Sequence, residues 1–599
     1  MAPVDPESGT TTTAGIGRGW AGDRRGSGAS GCRRPRPRTL AGEPDREPDG
    51  GTMPDFATVW EAIADLDPTA DALAHGDVAT GGPPRSWGAM EDRAARLAAA
   101  FADHGVGHDD KVALYLYNGP EYIETEFAAF KQRAVPCNVN YRYLADELTY
   151  LLTNADARVV VFDHSLAERV LEVRDRCPAL RLLVQVGGDE VVDGAVAYEE
   201  LIAAHDPAPR IARSDDDLWF LYTGGTTGNP KAVMWPHGNL MQTMVVHYAV
   251  IEREVPTSVA EAVDAVREYR RRGRHIRLLA AAPLMHGTSG ISSLQNLTLG
   301  GMIATLASRH FDAHELWRVV QERRITQLTI VGDAFARPML RALDEAAAEG
   351  RPYDLSSLRQ ILSSGVMWSN ESKQALLAYH DMTLFDSLGS SEGVGFGAQI
   401  ARRDEGETRT ARFRLGPNAT VLTDDGREVE PGSGEVGMLA VGGAIPLGYY
   451  KDPDKTAATF RVVAGRRWSM PGDFATVEAD GTITLLGRGS VCINSGGEKI
   501  YPEEVEEALK THPAVHDANV VGLPDERWGQ AVTAVVSLEP GAEVDDAELI
   551  AHVKGRLAHY KAPKTIVRVP EILRGPNGKA DYRWARDTAA EAVGVTPAT

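Results

Sequence analysis

Cysteine is scarce: Cys32, Cys137, Cys177 and Cys492 are the only four in 599 residues, and no two have CxxC spacing. That excludes a disulfide scaffold, offers no cysteine metal signature and fits a reducing cytoplasm. Long apolar runs are also missing, none approaching the roughly 18–20 residues that span a bilayer. Positive charge is in deficit, with 63 Lys and Arg against 84 Asp and Glu, a net of −21. Such a surface repels phosphate backbones and argues against nucleic-acid binding as the main task. Large aliphatic side chains are rare in residues 1–52, where Gly, Pro, Arg and Thr dominate. That stretch cannot offset the entropy of ordering, so it is expected to be a disordered leader, or translation starts further downstream. Arg24-Arg25 and Arg33-Arg34 lack the apolar segment that a twin-arginine export signal requires. Folding is expected to begin near Met53.

The remainder alternates buried-strand patterns with helical ones. Lys111–Leu116, Val135–Val139 and Arg158–Phe162 read as strands, with helices through Tyr122–Phe130 and Ala145–Asn154 between them, the rhythm of a parallel sheet covered on both faces. Helices are also predicted at Trp60–Ala64 and Met90–His104, and further strands near Leu278, Ile303, Gln327 and Gln360. From about Ala419 short strands and Asp-Gly turns suggest a β-rich subdomain, and beyond Arg488 a compact α+β tail begins. The charged segment Glu252–Arg274 reads as an exposed helical insertion. The fold class is therefore α/β. A large N-terminal domain of stacked βα sheets, residues 53–487, carries the β-rich subdomain, and a small mobile α+β domain follows at 488–599.

The most informative stretch lies between two apolar runs: Thr223-Gly224-Gly225-Thr226-Thr227-Gly228-Asn229-Pro230-Lys231. Three glycines let backbone N–H groups converge without a Cβ in the way, three threonine hydroxyls add donors, and Lys231 supplies a cation. That is the chemistry needed to hold a triphosphate. The Walker loop does not fit, because Lys231 comes three residues after Gly228 and Ala232 stands where Ser or Thr is required.

These residues resemble the adenylate-forming superfamily, which includes acyl-CoA synthetases, over nearly everything from Trp60 to Tyr582. Within it, Gly332-Asp333-Ala334-Phe335-Ala336-Arg337-Pro338 and Gly496-Gly497-Glu498-Lys499-Ile500-Tyr501-Pro502 look most like actinobacterial fatty-acid and steroid-side-chain CoA ligases. The resemblance implies roles for further residues. In Asp386-Ser387-Leu388-Gly389-Ser390-Ser391-Glu392, Glu392 would hold Mg²⁺ against the ATP phosphates, and Ser391 stands where a threonine contacts the α-phosphate. With Leu388 in place of an aromatic, Asp386 is expected to accept from the adenine amino group. Gly365 and Val366 form the adenine-pocket turn, while Asp473 and Arg488 contact the ribose. Lys579, in Pro576-Asn577-Gly578-Lys579, bridges the carboxylate substrate and the α-phosphate. His286 and Gly389 would border the acyl group, with small neighbours Gly287, Ser289 and Gly290 leaving room for a bulky acid. Gly496 and Gly497 would face the coenzyme A channel after rotation of the small domain. Ser490 and Val491 depart from the family's hinge pattern.

The implied reaction is two-step: a carboxylic acid and ATP give an acyl-adenylate, and coenzyme A then takes the acyl group. Lys579, Glu392 and Thr223 carry the catalysis, with no nucleic acid and no membrane span involved. Alternatives are loading of a carrier protein, a non-catalytic binding protein of the same fold, and luciferase-type oxidation. The sequence leaves the particular acid, and assembly as a homo-oligomer, open.

Overall fold

The computed structural model describes residues 55–225, 228–366, 368–404, 410–488, 491–495, 498–525, 528–574 and 579–595. The proposed leader, 1–52, lies outside them. Among the described residues the strands form three sheets. The first has a parallel centre of Val135–Asn138, Lys111–Tyr115, Ala157–Asp163 and Leu182–Val186. Lys111–Tyr115 is buried along its length, as a strand covered on both faces must be. Its residues alternate between two cores: Val112 and Leu114 face helices Trp87–Asp103 and Pro120–Lys131, whereas Ala113 and Tyr115 face helix Ala145–Ala155.

The second sheet runs parallel through Asp71–His75, Met302–Thr305, Arg277–Ala280, Gln327–Ile330, Gln360–Ser364 and Thr383–Ser390. One core joins both sheets. Trp60, Phe127 and Leu294, from helices Phe56–Leu66, Pro120–Lys131 and Gly287–Thr298, fill the layer between Leu114 on one side and Leu278 and Ile303 on the other. The β-rich part is not set apart from this sheet. Thr383–Ser390 pairs antiparallel with Gly393–Ala401, which continues through Arg412–Leu415 to Thr482–Arg488 and Asp473–Val477. A tail of ladder hydrogen bonds thus extends one sheet from its parallel half into an antiparallel half.

The third sheet builds the C-terminal domain. Val515–Asp525 pairs with Gly529–Leu538, and helices Pro502–Lys510 and Asp546–Lys554 pack Val505 and Leu549 onto Val520 and Val532.

Two local expectations change. The first helix is longer than predicted, Phe56–Leu66, because the Asp55 carboxylate caps it by accepting from Thr58 N at 2.8 Å. The charged segment holds a helix, Val259–Arg271, but one face is buried: Ala262, Ala265, Val266 and Tyr269 recur at helical spacing and pack inward. Arg270 also reaches Asp67 at 2.7 Å. Among the described residues no helix is long and apolar enough to cross a membrane.

Candidate active site

The glycine- and threonine-rich segment is the tip of a β-hairpin, Leu218–Gly225 with Gly228–Pro236. Thr223 lies opposite Lys231 and Gly225 opposite Gly228, with a register shift between Thr223 and Gly225. The backbone of Gly224, Gly225 and Gly228 is therefore strand, while Thr226 and Thr227 lie outside the described residues. Lys231 donates to the Asp452 carboxylate, which holds that carboxyl below its ordinary range. Its ammonium also stands 5.9 Å from the Tyr449 ring. The Tyr449 hydroxyl donates to Glu392 Oε1 at 2.8 Å. One tyrosine thus brings together the cation and the carboxylate that the sequence sets 161 positions apart, from Lys231 to Glu392.

Ser390, Ser391 and Glu392 do not cap a helix; they turn the chain between Thr383–Ser390 and Gly393–Ala401. That turn is tied to the hairpin by Trp235, whose indole donates to the Ser391 carbonyl at 2.9 Å. It is tied to the antiparallel half of the sheet by Ser469, which donates to the Glu392 carbonyl at 2.6 Å. Glu392 is 9% exposed. Tyr449 engages its Oε1.

Asp386 has a different partner from the one expected. It is 5% exposed, and Lys373 (1% exposed) donates to its Oδ2 at 2.7 Å and to Gln399 Oε1 at 2.5 Å. Burial pushes the Asp386 carboxyl up to about 6, opposed by the Lys373 charge. This buried ion pair braces the strand that leads into the Ser-Ser-Glu turn. Gly365 ends the neighbouring strand with φ +93°, a conformation that side chains strain to adopt. Val366 packs against the second core and borders a cleft between the domains. Gly389 sits at the end of the strand that pairs with Gln360–Ser364, beside that turn. On the antiparallel side, the register sets Asp473 opposite Arg488.

His286 precedes helix Gly287–Thr298. Its position is fixed by two asparagines that the sequence reading missed. Asn118 donates to the Ala280 and Ala282 carbonyls at 3.1 and 3.0 Å and accepts from Leu284 N at 2.7 Å. Asn138 donates to Tyr222 O at 3.0 Å and Met285 O at 2.6 Å, joining the glycine-rich hairpin to the histidine loop. Burial, then the positive charges of Lys579 and Arg142, lower the His286 imidazole to about 3, so it is neutral in use. Its Nε2 is buried with no partner among the described residues. Two of the small residues beside it, Gly290 and Ser289, are closely packed. A Cβ on Gly290 would meet the Leu284 carbonyl at 2.8 Å, and Ser289 is bonded to Thr329 at 2.8 Å.

Lys579 reaches this centre from the C-terminal domain. A Cβ built on Gly365 would lie 4.0 Å from Lys579 Cε and 3.8 Å from Thr288 Oγ1, so the lysine arm passes over the Gly365 turn. Gly496 and Gly497 lie outside the described residues, as does the side chain of Arg488. Of the residues that sequence reasoning missed, Asp452 carried a signal: Asp452-Pro453 reads as a helix cap, and Asp452 does cap Pro453–Thr459. Tyr449 carried none, because its role depends on the pairing of Gly448–Tyr449 with Gly228–Pro236.

Residues 61–450 match the model of the AMP-binding enzymes, and residues 504–579 that of the AMP-binding enzyme C-terminal domain. A 3-oxocholest-4-en-26-oate–CoA ligase of Rhodococcus rhodochrous is 42% identical, covering 91% of this chain and 96% of the relative. A medium/long-chain-fatty-acid–CoA/3-oxocholest-4-en-26-oate–CoA ligase of Mycolicibacterium smegmatis is 40% identical over 88% of this chain and 96% of its own length. Among solved structures, an anthranilate CoA ligase in complex with anthranoyl-AMP shares the fold, with a TM-score of 0.76 at 20% identity, covering 91% of this chain and 98% of that one. The chain belongs to the AMP-binding enzyme family.

Proposed function

We propose that the protein is an ATP-dependent acid–thiol ligase that activates a bulky hydrophobic carboxylic acid, a steroid side-chain acid or a medium- to long-chain fatty acid. The observation that carries the reading is the convergence of Lys231 and Glu392 on Tyr449, with Lys579 lying over Gly365. The two similar ligases support the choice of acid class.

In the first half-reaction a substrate carboxylate oxygen attacks the α-phosphorus of ATP. The bond from that phosphorus to the pyrophosphate oxygen breaks, giving acyl-adenylate. Lys231 and the hairpin N–H groups hold the departing phosphates, and Lys579 neutralises charge at the bond being made. In the second, the thiol sulfur of coenzyme A attacks the acyl carbon, loses its proton and releases AMP. Among the described residues no group of three or more His, Cys, Asp or Glu gathers as a metal site. That suits Mg²⁺, which keeps its waters and takes one carboxylate plus substrate phosphates. Glu392 Oε2 would hold it, and bound there it would offset phosphate charge. Neutral His286 borders the acyl group without competing for its charge.

The domains meet near Arg488. Gly487 has φ +113°, and a Cβ there would meet the Glu503 carboxylate at 2.2 Å, so glycine lets helix Pro502–Lys510 close against the last strand of the large domain. Rotation about this junction would withdraw Lys579 and open the thiol path.

The test is a panel of octanoate, palmitate, a 3-oxo-steroid side-chain acid and benzoate, read by pyrophosphate release and by thioester formation with coenzyme A alone. Release with the long-chain or steroid acids, followed by thioester, is expected. Adenylation without transfer to coenzyme A would favour a carrier-protein acceptor, and inactivity with every acid would overturn the reading.

A further inference from the structure

The segment Gly332–Pro338 opens helix Gly332–Ala348 on the large domain and has no part in the site above. Its Arg337 crosses to the C-terminal domain. Nη1 donates to the His516 carbonyl at 3.0 Å and stands 3.7 Å from Glu539 Oε1. His516 Nδ1 is itself 3.1 Å from that same Glu539 oxygen. One guanidinium therefore grips both the second residue of a strand, Val515–Asp525, and the residue just past its partner strand, Gly529–Leu538.

The held peptide leads to Lys579 in three steps. Asp517 follows His516, and its carboxylate accepts from the Arg574 guanidinium at 2.6 Å. Burial opposes ionisation at Asp517, but Arg574 holds its carboxyl below the ordinary value. Arg574 in turn pairs its backbone with Ala580, the residue after Lys579, in an antiparallel bridge. The domains are not close-packed around this link. A cleft of about 530 Å³ separates Asp333, Arg337 and Arg341 from Lys510, Arg574 and Trp584. Near the junction the domains touch elsewhere, as where Phe474 and Tyr501 bring their rings to 6.0 Å. Asp333 lies 3.7 Å from Arg337 Nε, one turn back on the same helix, so the guanidinium keeps an anionic partner when the C-terminal domain leaves.

We propose that Arg337 is a positioning residue for the first half-reaction, fixing the C-terminal domain so that Lys579 stays at the reacting phosphorus and letting go before thiol attack. The inference rests on the role of Lys579 proposed above. It predicts opposite consequences for the two half-reactions, which a residue needed only for folding would not produce.

The experiment measures acid-dependent ATP–pyrophosphate exchange and, separately, single-turnover thioester formation from synthetic acyl-adenylate and coenzyme A. Arg337→Ala is expected to slow exchange about tenfold through kcat, with KM for ATP little changed, while thioester formation is preserved or faster. Arg337→Lys restores part of the exchange, because a point charge replaces a planar fork. Arg341→Ala, which lines the same cleft, leaves both steps unchanged. Equal loss of both steps in Arg337→Ala with an unaltered melting temperature, or no loss in either, overturns the proposal. Should Arg337→Ala fail to fold, Arg337→Lys decides: a partial loss confined to exchange supports the proposal, and none contradicts it. Lys579→Ala, run alongside, separates the two readings. Equal loss of both steps there removes the role of Lys579 itself, whereas loss of exchange alone beside an indifferent Arg337→Ala removes only the positioning role.

Discussion

Tyr449 shows how a residue outside every recognisable motif can govern a site. Its hydroxyl orients Glu392 and its ring stands beside the Lys231 ammonium. A partner that fixes a metal-binding carboxylate typically changes metal affinity by 10–100-fold. Tyr449→Phe is therefore expected to raise the Mg²⁺ concentration giving half-maximal pyrophosphate release at least about tenfold, with the variant still folded; an unchanged Mg²⁺ dependence contradicts the assignment. Lys373 poses a question of stability rather than catalysis. Removing one member of a buried ion pair strands the other, at about 3–5 kcal/mol. Lys373→Ala should lose about that much in denaturant unfolding because Asp386 is left uncompensated, whereas a loss below about 1 kcal/mol would mean that the pair is hydrated.

Helix Pro120–Lys131 carries a titration that belongs to the element as a whole, since it is buried on nearly every side between the two sheets. Burial pushes its Glu126 carboxyl up from 4.5 to about 8, relieved only in part by the Trp219 indole, which donates at 3.1 Å. Between those two values the folded chain keeps a proton that the unfolded chain has lost. This contribution favours the fold below about pH 4.5 and declines as pH rises towards 8, at up to about 1.4 kcal/mol per pH unit. Glu126→Gln removes that slope. Its stability relative to the parent should grow between pH 5 and pH 8 in urea unfolding, and a constant difference would contradict the burial.

The elements were largely readable from the sequence, because strands such as Lys111–Tyr115 and helices such as Ala145–Ala155 write their burial into their hydrophobic spacing. The joins were not. Whether the strands after Ala419 form their own layer or extend an existing sheet depends on backbone pairing such as Gly397 with Leu415, which no side-chain pattern encodes. The site divides in the same way. Lys231, Glu392 and Lys579 stood out as candidates because each sits in a compact motif, whereas Asn118, Asn138 and Tyr449 act through contacts made only when distant strands meet. The Lys373 partner of Asp386 was not legible either, because the two meet only when helix Asn370–Tyr379 packs against strand Thr383–Ser390.

At the scale of the whole molecule the proposed reaction needs a charge, Lys579, that the C-terminal domain supplies to the large domain's site. The large domain brings the glycine-rich hairpin, the Ser-Ser-Glu turn and the paired Asp473 and Arg488 together by joining two stacked sheets. The C-terminal domain contributes Lys579, held next to the bridge between Arg574 and Ala580. Because that lysine belongs to the other domain, its loss should be felt in one chemical step and not the other. The decisive measurement is the pair of half-reaction rates in Lys579→Ala, using whichever acid the parent activates best. The account predicts a fall of about 10²–10³-fold in acid-dependent pyrophosphate exchange, with thioester formation from supplied acyl-adenylate retained. Undiminished exchange, or an equal fall in both steps, would contradict it.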